Sequence, residues 1–596
     1  MVNVAPETTT EGERPDVSRT DGETWFGHPR QLARLFTTEM WERFGFYGMR
    51  ALLTLYLTQF FLFNDRQSTG LYGGFTALVY LTPLVGGLLA DRFLGSKRSV
   101  KFGAIVMALG YLLLCFGGSP AKPYAMVDGQ RFEVVNQGVG DARRQFIVAG
   151  SQQLLIKGND DKTVSFVDAA GAEVKKVPSD RFEAAGERNP FYTMLMLIAL
   201  SMVAVGNGFF KPNISTIVGS LYAEGDRRRD AGFTIFYMGI NLGSFLSQLA
   251  CPFLVTHVGW WAGFGLAALG MLVSWSLIQF DGGKLNGYGE PPTREGPDRS
   301  LWIYLGAAVA VPVVYFLFTN LMNAPEPVPG SGIIGYIASL SIMGKALFLT
   351  FLFSVPAILI WSYKVGTRVE FQMMMAAMIL VIFNVVFWTL FEQAGSSLTL
   401  FADRNTDLSF FGWFSISAPQ TQSFNAIFIV LLAPLFSILW TSLAKRGLEP
   451  GIPVKFAFAL MGVGLGFLFL VWGAKFAGSD FKVGIWWLAG LYLIHSIAEL
   501  CISPVGLSMI TKLAIARVVG LMMGVWFLSI SVAQYVAGVV AQVASVETVG
   551  GQVTNLKVSL DTYTDVFWTI GLVSAGIGLL LLVLSPLIKK WMHGVD

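Results

Sequence analysis

Long apolar runs alternate with short polar connections along this chain, and that alternation fixes its class. A stretch of about 20 predominantly apolar residues matches the hydrocarbon thickness of a bilayer. Such runs lie near 35–63, 69–90, 99–118, 190–222, 231–257, 259–280, 300–321, 333–363, 371–402, 420–444, 454–475, 484–514, 518–544 and 562–589. They predict about fourteen transmembrane helices grouped as six, two and six. The 596 residues are 54% hydrophobic and only 14% charged, whereas soluble domains carry roughly 25% charged residues. The expected fold class is an all-α polytopic membrane protein in a lipid bilayer.

Composition excludes several functions. A net charge of +3 gives no basis for a nucleic-acid partner. Cys115, Cys251 and Cys501 all lie inside apolar runs, and His28, His257, His495 and His593 have no ligand spacing. Neither a disulfide framework nor a metal site is expected, and no cofactor. No G-x-x-x-x-G-K-[ST] stretch occurs, which argues against direct ATP drive.

Lysines and arginines in short connections set orientation. DRFLGSKRSVK, GDRRRD, KVGTR, AKRGLEPGIPVK and IKKW alternate with the cation-poor NAPEPVPGSG and GGQVTNLKVSL. Both termini are therefore expected in the cytoplasm, in a multi-pass protein of the cell (inner) membrane. The polar residues 1–30 lack the pattern of a secretory signal and read as a mobile cytoplasmic segment. Residues 31–280 form the first six-helix bundle, 281–365 a cytoplasmic linker with two additional spans, and 366–596 the second bundle. Within the first bundle, residues 119–189 form a polar external insert. RFEVV, RQFIVAG, QQLLIKG, KTVSFVDAAG and AEVKKV alternate apolar and polar residues there, which predicts a small β-rich domain.

Ionisable groups inside spanning helices cost roughly 2.5–3.5 kcal/mol each, so they mark wet cavities or mutual pairs. Glu39, Glu42, Arg43, Phe46 and Arg50 fall within an arc of about 100° on one helix, with Arg50 about 16 Å beyond Glu39. Lys211, Glu392 and Glu499 occupy comparable depths in other runs, with Asn241 as a polar companion. Pro212, Pro434 and Pro504 interrupt apolar runs, where they free backbone carbonyls and permit bending.

These residues carry a resemblance. EMWERFGFYG, GGLLADRFLGSKR, GNGFFKPN, FYMGINLGS, FEQAG and ELCISPVGL occur in order from about residue 35 to 530. In this the chain resembles the proton-dependent oligopeptide transporter (POT/PTR) family of the major facilitator superfamily. The resemblance implies two six-helix bundles with two extra helices between them, importing di- and tripeptides with protons by alternating access. It implies that Glu39 and Glu42 take up the coupling proton, Glu42 pairing with Arg43 when deprotonated. Arg43 and Lys211 would hold the peptide carboxylate, and Glu499, with Asn241 and Asn425, its amino group. Tyr47 and Tyr80 would line the pocket, with Trp388 and Trp526 shaping space for side chains. Arg50 with Glu392 would gate one side and Lys211 with Glu499 the other, while Asp91, Arg92 and Lys97 brace a closed state. The protein would work as a monomer and not as an enzyme, with the proton as coupling ion.

Three departures qualify this picture. Phe46 stands where the family has the first tyrosine of an aromatic pair. STGLYGGFTALVY lacks the histidine of animal relatives, and the 119–189 insert exceeds a minimal member. The rival readings are a carrier of nitrate or another solute on the same fold, a non-transporting nutrient sensor, and an intramembrane enzyme using Glu39 and Glu42. The last lacks a nucleophile–base pair or metal ligands, and the first has no need of Glu499.

Overall fold

The computed structural model describes residues 24–595 apart from 139–142, 224–225, 227, 286, 293–296, 329 and 331. Among these residues, fourteen helices of 19 residues or more carry the chain. The first six are α1 (Gln31–Leu55), α2 (Asp65–Leu89), α3 (Ser96–Leu114), α4 (Pro190–Ser220), α5 (Arg228–His257) and α6 (Trp260–Gln279). An intervening pair follows, α7 (Ser300–Met322) and α8 (Ile342–Val365). The last six are α9 (Arg368–Phe391), α10 (Ser423–Lys445), α11 (Ile452–Ala474), α12 (Ile485–Leu513), α13 (Val519–Val543) and α14 (Leu556–Trp591).

Twelve helices are long and apolar enough to cross a membrane by length and composition. The two outside that group, α1 and α3, carry the charges read above: Glu39, Glu42, Arg43 and Arg50 on α1, and Lys97, Arg98 and Lys101 on α3. Both nevertheless pack inside the first half, α1 against α5 and α6, α3 against α4 and α6. Their charges lower hydropathy without moving the helices out of the bundle.

Helix ends follow local chemistry. Asn64 caps α2 by accepting from the Gln67 amide at 2.8 Å, and Asn189 caps α4 just before Pro190. Such side chains satisfy amides that the first helical turn leaves unpaired. Thr367 and Glu370 form a reciprocal capping box on α9. Two apolar runs are broken where sequence alone reads them as continuous. In the 333–363 run, a short helix Gly332–Ser339 ends before Ser341, whose hydroxyl caps α8. The 371–402 run bends through a tighter turn, Glu392–Gly395, before a second helix Ser397–Asn405. Part of the expected mobile segment 1–30 is ordered. Residues 1–23 lie outside the described residues, but Thr24–Trp25 pairs with His28–Pro29, and His28 Nδ1 meets Tyr222 Oη at 3.0 Å.

Two helical halves pack separately. In the first, α3 lies on α4 and α1 on α5; in the second, α11 lies on α14 and α12, and α9 on α13. They meet mainly through α2 with α13 and α5 with α10. The extra pair covers the first of these seams, α7 against α2 and α4, α8 against α13 and α9.

The insert is a seven-stranded antiparallel sheet: β1 (Lys122–Val127), β2 (Gln130–Gln137), β3 (Arg144–Ala149), β4 (Gln152–Gly158), β5 (Thr163–Val167), β6 (Glu173–Pro178) and β7 (Phe182–Glu187). Strands β1 to β6 run as a meander, and β7 returns to pair with β1. The two edges of the sheet, β6 and β7, are joined only by Ser179–Arg181, so the sheet must curl to bring them together. Its inner face buries Val134, Ile147, Leu154, Ile156, Val164 and Phe166. β1 and β7 had no alternating signature in the sequence: β1 opens on Lys-Pro, and β7 reads FEAAGE. They pair with each other and turn Ala125, Val127, Phe182 and Ala184 to the core.

The seam between the halves is tight at the insert's end and splayed at the other. A Cβ on Gly73 would lie 2.6 Å from Gly538 Cα, so the α2 and α13 backbones approach as only glycine permits. Nothing lies within 4 Å of a Cβ on Gly520 or Gly524, nearer the other end of α13. Along α2, Ser68 to Val79 are buried, and exposure begins at Tyr80.

Candidate functional site

The charges on α1 face inward. Glu39, Glu42, Arg43 and Arg50 are all buried, Glu42 and Arg43 at 0% and 1% exposure. Burial at that level requires each charge to find a partner. Arg43 Nε donates to Glu42, and its Nη2 donates to Glu42 Oε1 at 2.5 Å. Glu39 Oε1 lies 3.5 Å from the same Nε. The guanidinium sits 4.9 Å from the Phe46 ring centroid and 5.8 Å from that of Tyr47. Two carboxylates thus share one cation, with aromatic faces beneath it.

α4 supplies the next group. Asn207 Oδ1 accepts from Arg43 Nη2 at 3.2 Å, while Asn207 Nδ2 donates to the Val79 carbonyl at 2.8 Å. One turn further along, Lys211 Nζ stands 5.2 Å from the Tyr80 ring centroid. Pro212 follows inside a continuous α4. These groups form a cationic pole where the α2–α13 seam begins to open.

The second half contributes an anionic pole. Asn425 on α10 donates to Glu499 Oε2 on α12 at 3.1 Å and to Ser496 Oγ at 3.0 Å. Trp388 on α9 packs within a ring cluster with Phe387 and Phe391. Trp526 on α13 is buried, its ring lying against Gly506.

Of the paired expectations, Arg50 and Glu392 are joined by a buried ion pair across the halves. Lys211 and Glu499 are not ion-paired among the described residues; each holds the local partner just given. Asn241 is half-buried and donates to Tyr237 O on its own helix at 3.0 Å, leaving Asn425 as the Glu499 companion. Lys97 pairs with Asp281 at 3.0 Å and Glu290 at 3.4 Å, whereas Asp91 and Arg92 are exposed. The geometry is therefore one buried ion pair between the halves at the insert's end and one unmade pair at the other.

Three groups escaped the sequence reading. Asp65 and Arg404 form a two-pronged buried ion pair, with both distances 2.6 Å, and Tyr563 Oη joins Arg404 at 2.9 Å. Both charges sit at the polar fringe of an apolar run, in NDRQ and FADRN, where a loop residue is the ordinary reading. Asn207 lay inside GNGFFKPN, one turn before Lys211, and that i, i+4 spacing was the available signal.

Comparison with known proteins identifies the family. The sequence model of the POT family matches residues 97–556. A Yersinia enterocolitica peptide transporter, YePEPT, is 31% identical over 87% of this chain and 88% of its own. The dipeptide and tripeptide permease A of Proteus mirabilis is 30% identical over 95% of this chain and 96% of its own. A crystallised peptide transporter of the family with bound sulfate superposes with a TM-score of 0.72. It is 28% identical, covering 97% of this chain and 99% of that one. A family member crystallised with 5-aminolevulinic acid gives a TM-score of 0.70 at 25% identity, covering 96% and 99%. With its two six-helix halves, its interposed helix pair and its first-helix charges, this chain belongs to the POT family.

Proposed function

We propose that this protein imports di- and tripeptides together with protons, by alternating access of two six-helix bundles (31–280 and 366–596) about a central site. The observation that carries this reading is the pair of opposed poles. Arg43 and Lys211 stand on the first half, and Glu499 with Asn425 on the second. A short peptide is a zwitterion, so its carboxylate and amino group match those poles. A nitrate-like anion has no use for Glu499.

Proton uptake then follows from Glu42. While ionised, it occupies Arg43 through two hydrogen bonds. A peptide carboxylate reaching Arg43 competes for that cation, and a displaced Glu42 is best neutralised by a proton. Glu39, 3.5 Å from the same guanidinium, is placed to receive or pass the proton. One proton moving down about 100 mV supplies about 2.3 kcal/mol. At 1.4 kcal/mol per tenfold, this sustains roughly fifty-fold accumulation of a neutral peptide.

Breaking the Arg50–Glu392 pair while forming Lys211–Glu499 would reverse which side is open. The cation-rich connections lie on the face opposite the insert, which supports an external insert and cytoplasmic termini in the cell (inner) membrane. Tyr47, Tyr80, Trp388 and Trp526 line the space between the poles in this reading, and Asn241 stays a candidate only where α5 turns inward. One chain contains both poles, so a monomer suffices, as a carrier and not an enzyme.

The test is uptake of labelled dialanine into proteoliposomes under an inward proton gradient, for the native protein and Glu42→Gln. Accumulation by the native protein, with only downhill exchange by the variant, supports the assignment. A native protein that moves nitrate but no peptide under any gradient sinks it.

A further inference from the structure

We propose that Asn207 is a positioning residue of the coupling site: a fixed, non-titrating acceptor that holds Arg43 while Glu42 changes charge. This deepens the coupling reading above. The amide orientation is set by its partners, because only Nδ2 can donate to the Val79 carbonyl, which it does at 2.8 Å. Oδ1 is thereby turned to Arg43 Nη2 at 3.2 Å. Asn207 is fully buried, and it ties α4 to α1 and to α2 at the level of the site. Arg43 has four other acidic or aromatic neighbours on its own helix, Glu39, Glu42, Phe46 and Tyr47. Lys211 on α4 and Tyr111 on α3 also act on this cluster. Among these, the carboxylates change charge with the proton, whereas the Asn207 amide cannot. When Glu42 becomes neutral, Asn207 is the acceptor that keeps the guanidinium in register for a substrate carboxylate.

Dialanine uptake is measured across a pH series for the native protein, Asn207→Ala and Asn207→Asp. Loss of an acceptor to a charged group raises KM about tenfold or more in Asn207→Ala. Asn207→Asp, which adds a competing carboxylate for Arg43 while it is ionised, raises KM and alters the pH profile. Lowered maximal rates with native KM and native pH profile would reduce Asn207 to a packing residue and overturn the proposal. A second readout needs no transport. The infrared carboxyl band lost in Glu42→Gln is titrated in each background. A titration midpoint moved by about one pH unit in Asn207→Asp supports the assignment, and an unmoved midpoint overturns it even if the peptide reading itself fails.

A separate set of contacts points to a second role. We infer that the β-insert is a clasp that holds its end of the transporter shut. β7 ends at Glu187 and α4 begins at Pro190, so the insert has no slack relative to the first half. Arg188 Nη1 donates to Leu62 O at 3.1 Å and lies 4.1 Å from the Phe63 ring centroid, and Ala121 N donates to Phe60 O at 2.9 Å. The insert's other side grips the second half. Val549, from the hairpin between α13 and α14, is buried in the insert's core. Gly158 N donates to Thr554 O at 3.2 Å, Asn555 donates to Asp160 Oδ1 at 3.1 Å, and Lys557 pairs with Asp160 at 2.6 Å. If the halves part at this end, as alternating access requires, these second-half contacts must release.

A Cβ built on Gly158 lies 3.0 Å from Thr554 Cβ, a small adjustment from the roughly 3.5–4.5 Å of disulfides. Gly158→Cys with Thr554→Cys, in a background where Cys115, Cys251 and Cys501 are alanine, can therefore lock the clasp. Oxidation is expected to stop dialanine uptake at least tenfold, with recovery on reduction; full uptake in the cross-linked protein overturns the inference. The converse experiment weakens the clasp with Asp160→Ala and Lys557→Ala and follows maleimide labelling of Thr54→Cys at the seam. Several-fold faster labelling is expected. An unchanged rate counts against the clasp whether or not the protein carries peptides.

Discussion

Arg50 and Glu392 stand 342 positions apart and meet as a buried ion pair between the two halves. Arg50 Nε also donates to Tyr72 Oη at 2.5 Å, so the cation is held from both α2 and the turn after α9. Removing one partner of a buried pair costs about 3–5 kcal/mol, because the other charge stays buried and alone. Arg50→Ala should therefore depopulate this closed state and speed maleimide labelling of Thr54→Cys, whose native hydroxyl donates to Gly395 O at 2.5 Å. The reversed pair, Arg50→Glu with Glu392→Arg, should regain part of the closure. Equal labelling in native and Arg50→Ala protein would show that the pair does not hold the gate.

Asp65 and Arg404 make a second link at the same end, and Asp65 Oδ2 also accepts from Val546 N at 2.9 Å. The carboxylate therefore joins α2 to the segment after α9 and to the α13–α14 hairpin. Asp65→Asn keeps the shape and removes the charge. It is expected to lower the thermal unfolding midpoint in detergent by several degrees, consistent with about 3 kcal/mol lost from a pair this buried. Arg404→Ala in the Asp65→Asn background should cost less than in the native protein, since the two act on one interaction. Additive losses would mean that they stabilise independently.

What sequence disclosed about this protein was what charge and periodicity encode. The apolar runs gave the helices, and the arc of Glu39, Glu42, Arg43 and Arg50 gave an inward stripe that is wholly buried. Contacts between distant segments were not readable. Asp65 and Arg404 each look like a loop charge until the fold brings them together, and Asn207 carries no charge to betray its place beside Arg43. Strands β1 and β7 do turn Ala125, Val127, Phe182 and Ala184 to the insert's core, but small and polar residues around them hide that alternation in the sequence. The Lys211–Glu499 pairing expected from the sequence is not made: Lys211 stands over the Tyr80 ring and Glu499 accepts from Asn425.

The α2–α13 seam predicts opposite effects for two glycines of the same helix. A Cβ on Gly538 would lie 2.8 Å from Thr69 O and 2.9 Å from Gly73 Cα, both backbone atoms that cannot step aside. Gly538→Val should wedge this end open and accelerate labelling there. Gly524 has nothing within 4 Å of its Cβ position. Gly524→Val should leave this state intact and hinder closure at the other end, so uptake falls while labelling at the insert's end stays native or slows. If both variants label alike, the close α2–α13 approach is not what keeps this end shut.

Glu547 offers a pH test outside the spanning helices. It lies in the connection between α13 and α14, beside Val546 and the Thr548–Val549 strand that feeds the insert's core. Burial pushes its carboxyl from the ordinary 4.5 up to about 7. A carboxyl raised on folding favours the folded state while protonated, fully so below its unfolded value. That contribution is lost as pH climbs through about 7. The hairpin should accordingly loosen between mildly acidic and mildly alkaline conditions, and Glu547→Gln should abolish that part of the pH dependence. Thermal unfolding midpoints of the two proteins should coincide near about pH 4 and separate near about pH 8, with the variant higher. A native midpoint that equals the variant's at both pH values would show that Glu547 is solvated and ionised throughout, and that the connection is not a pH-sensitive part of the clasp.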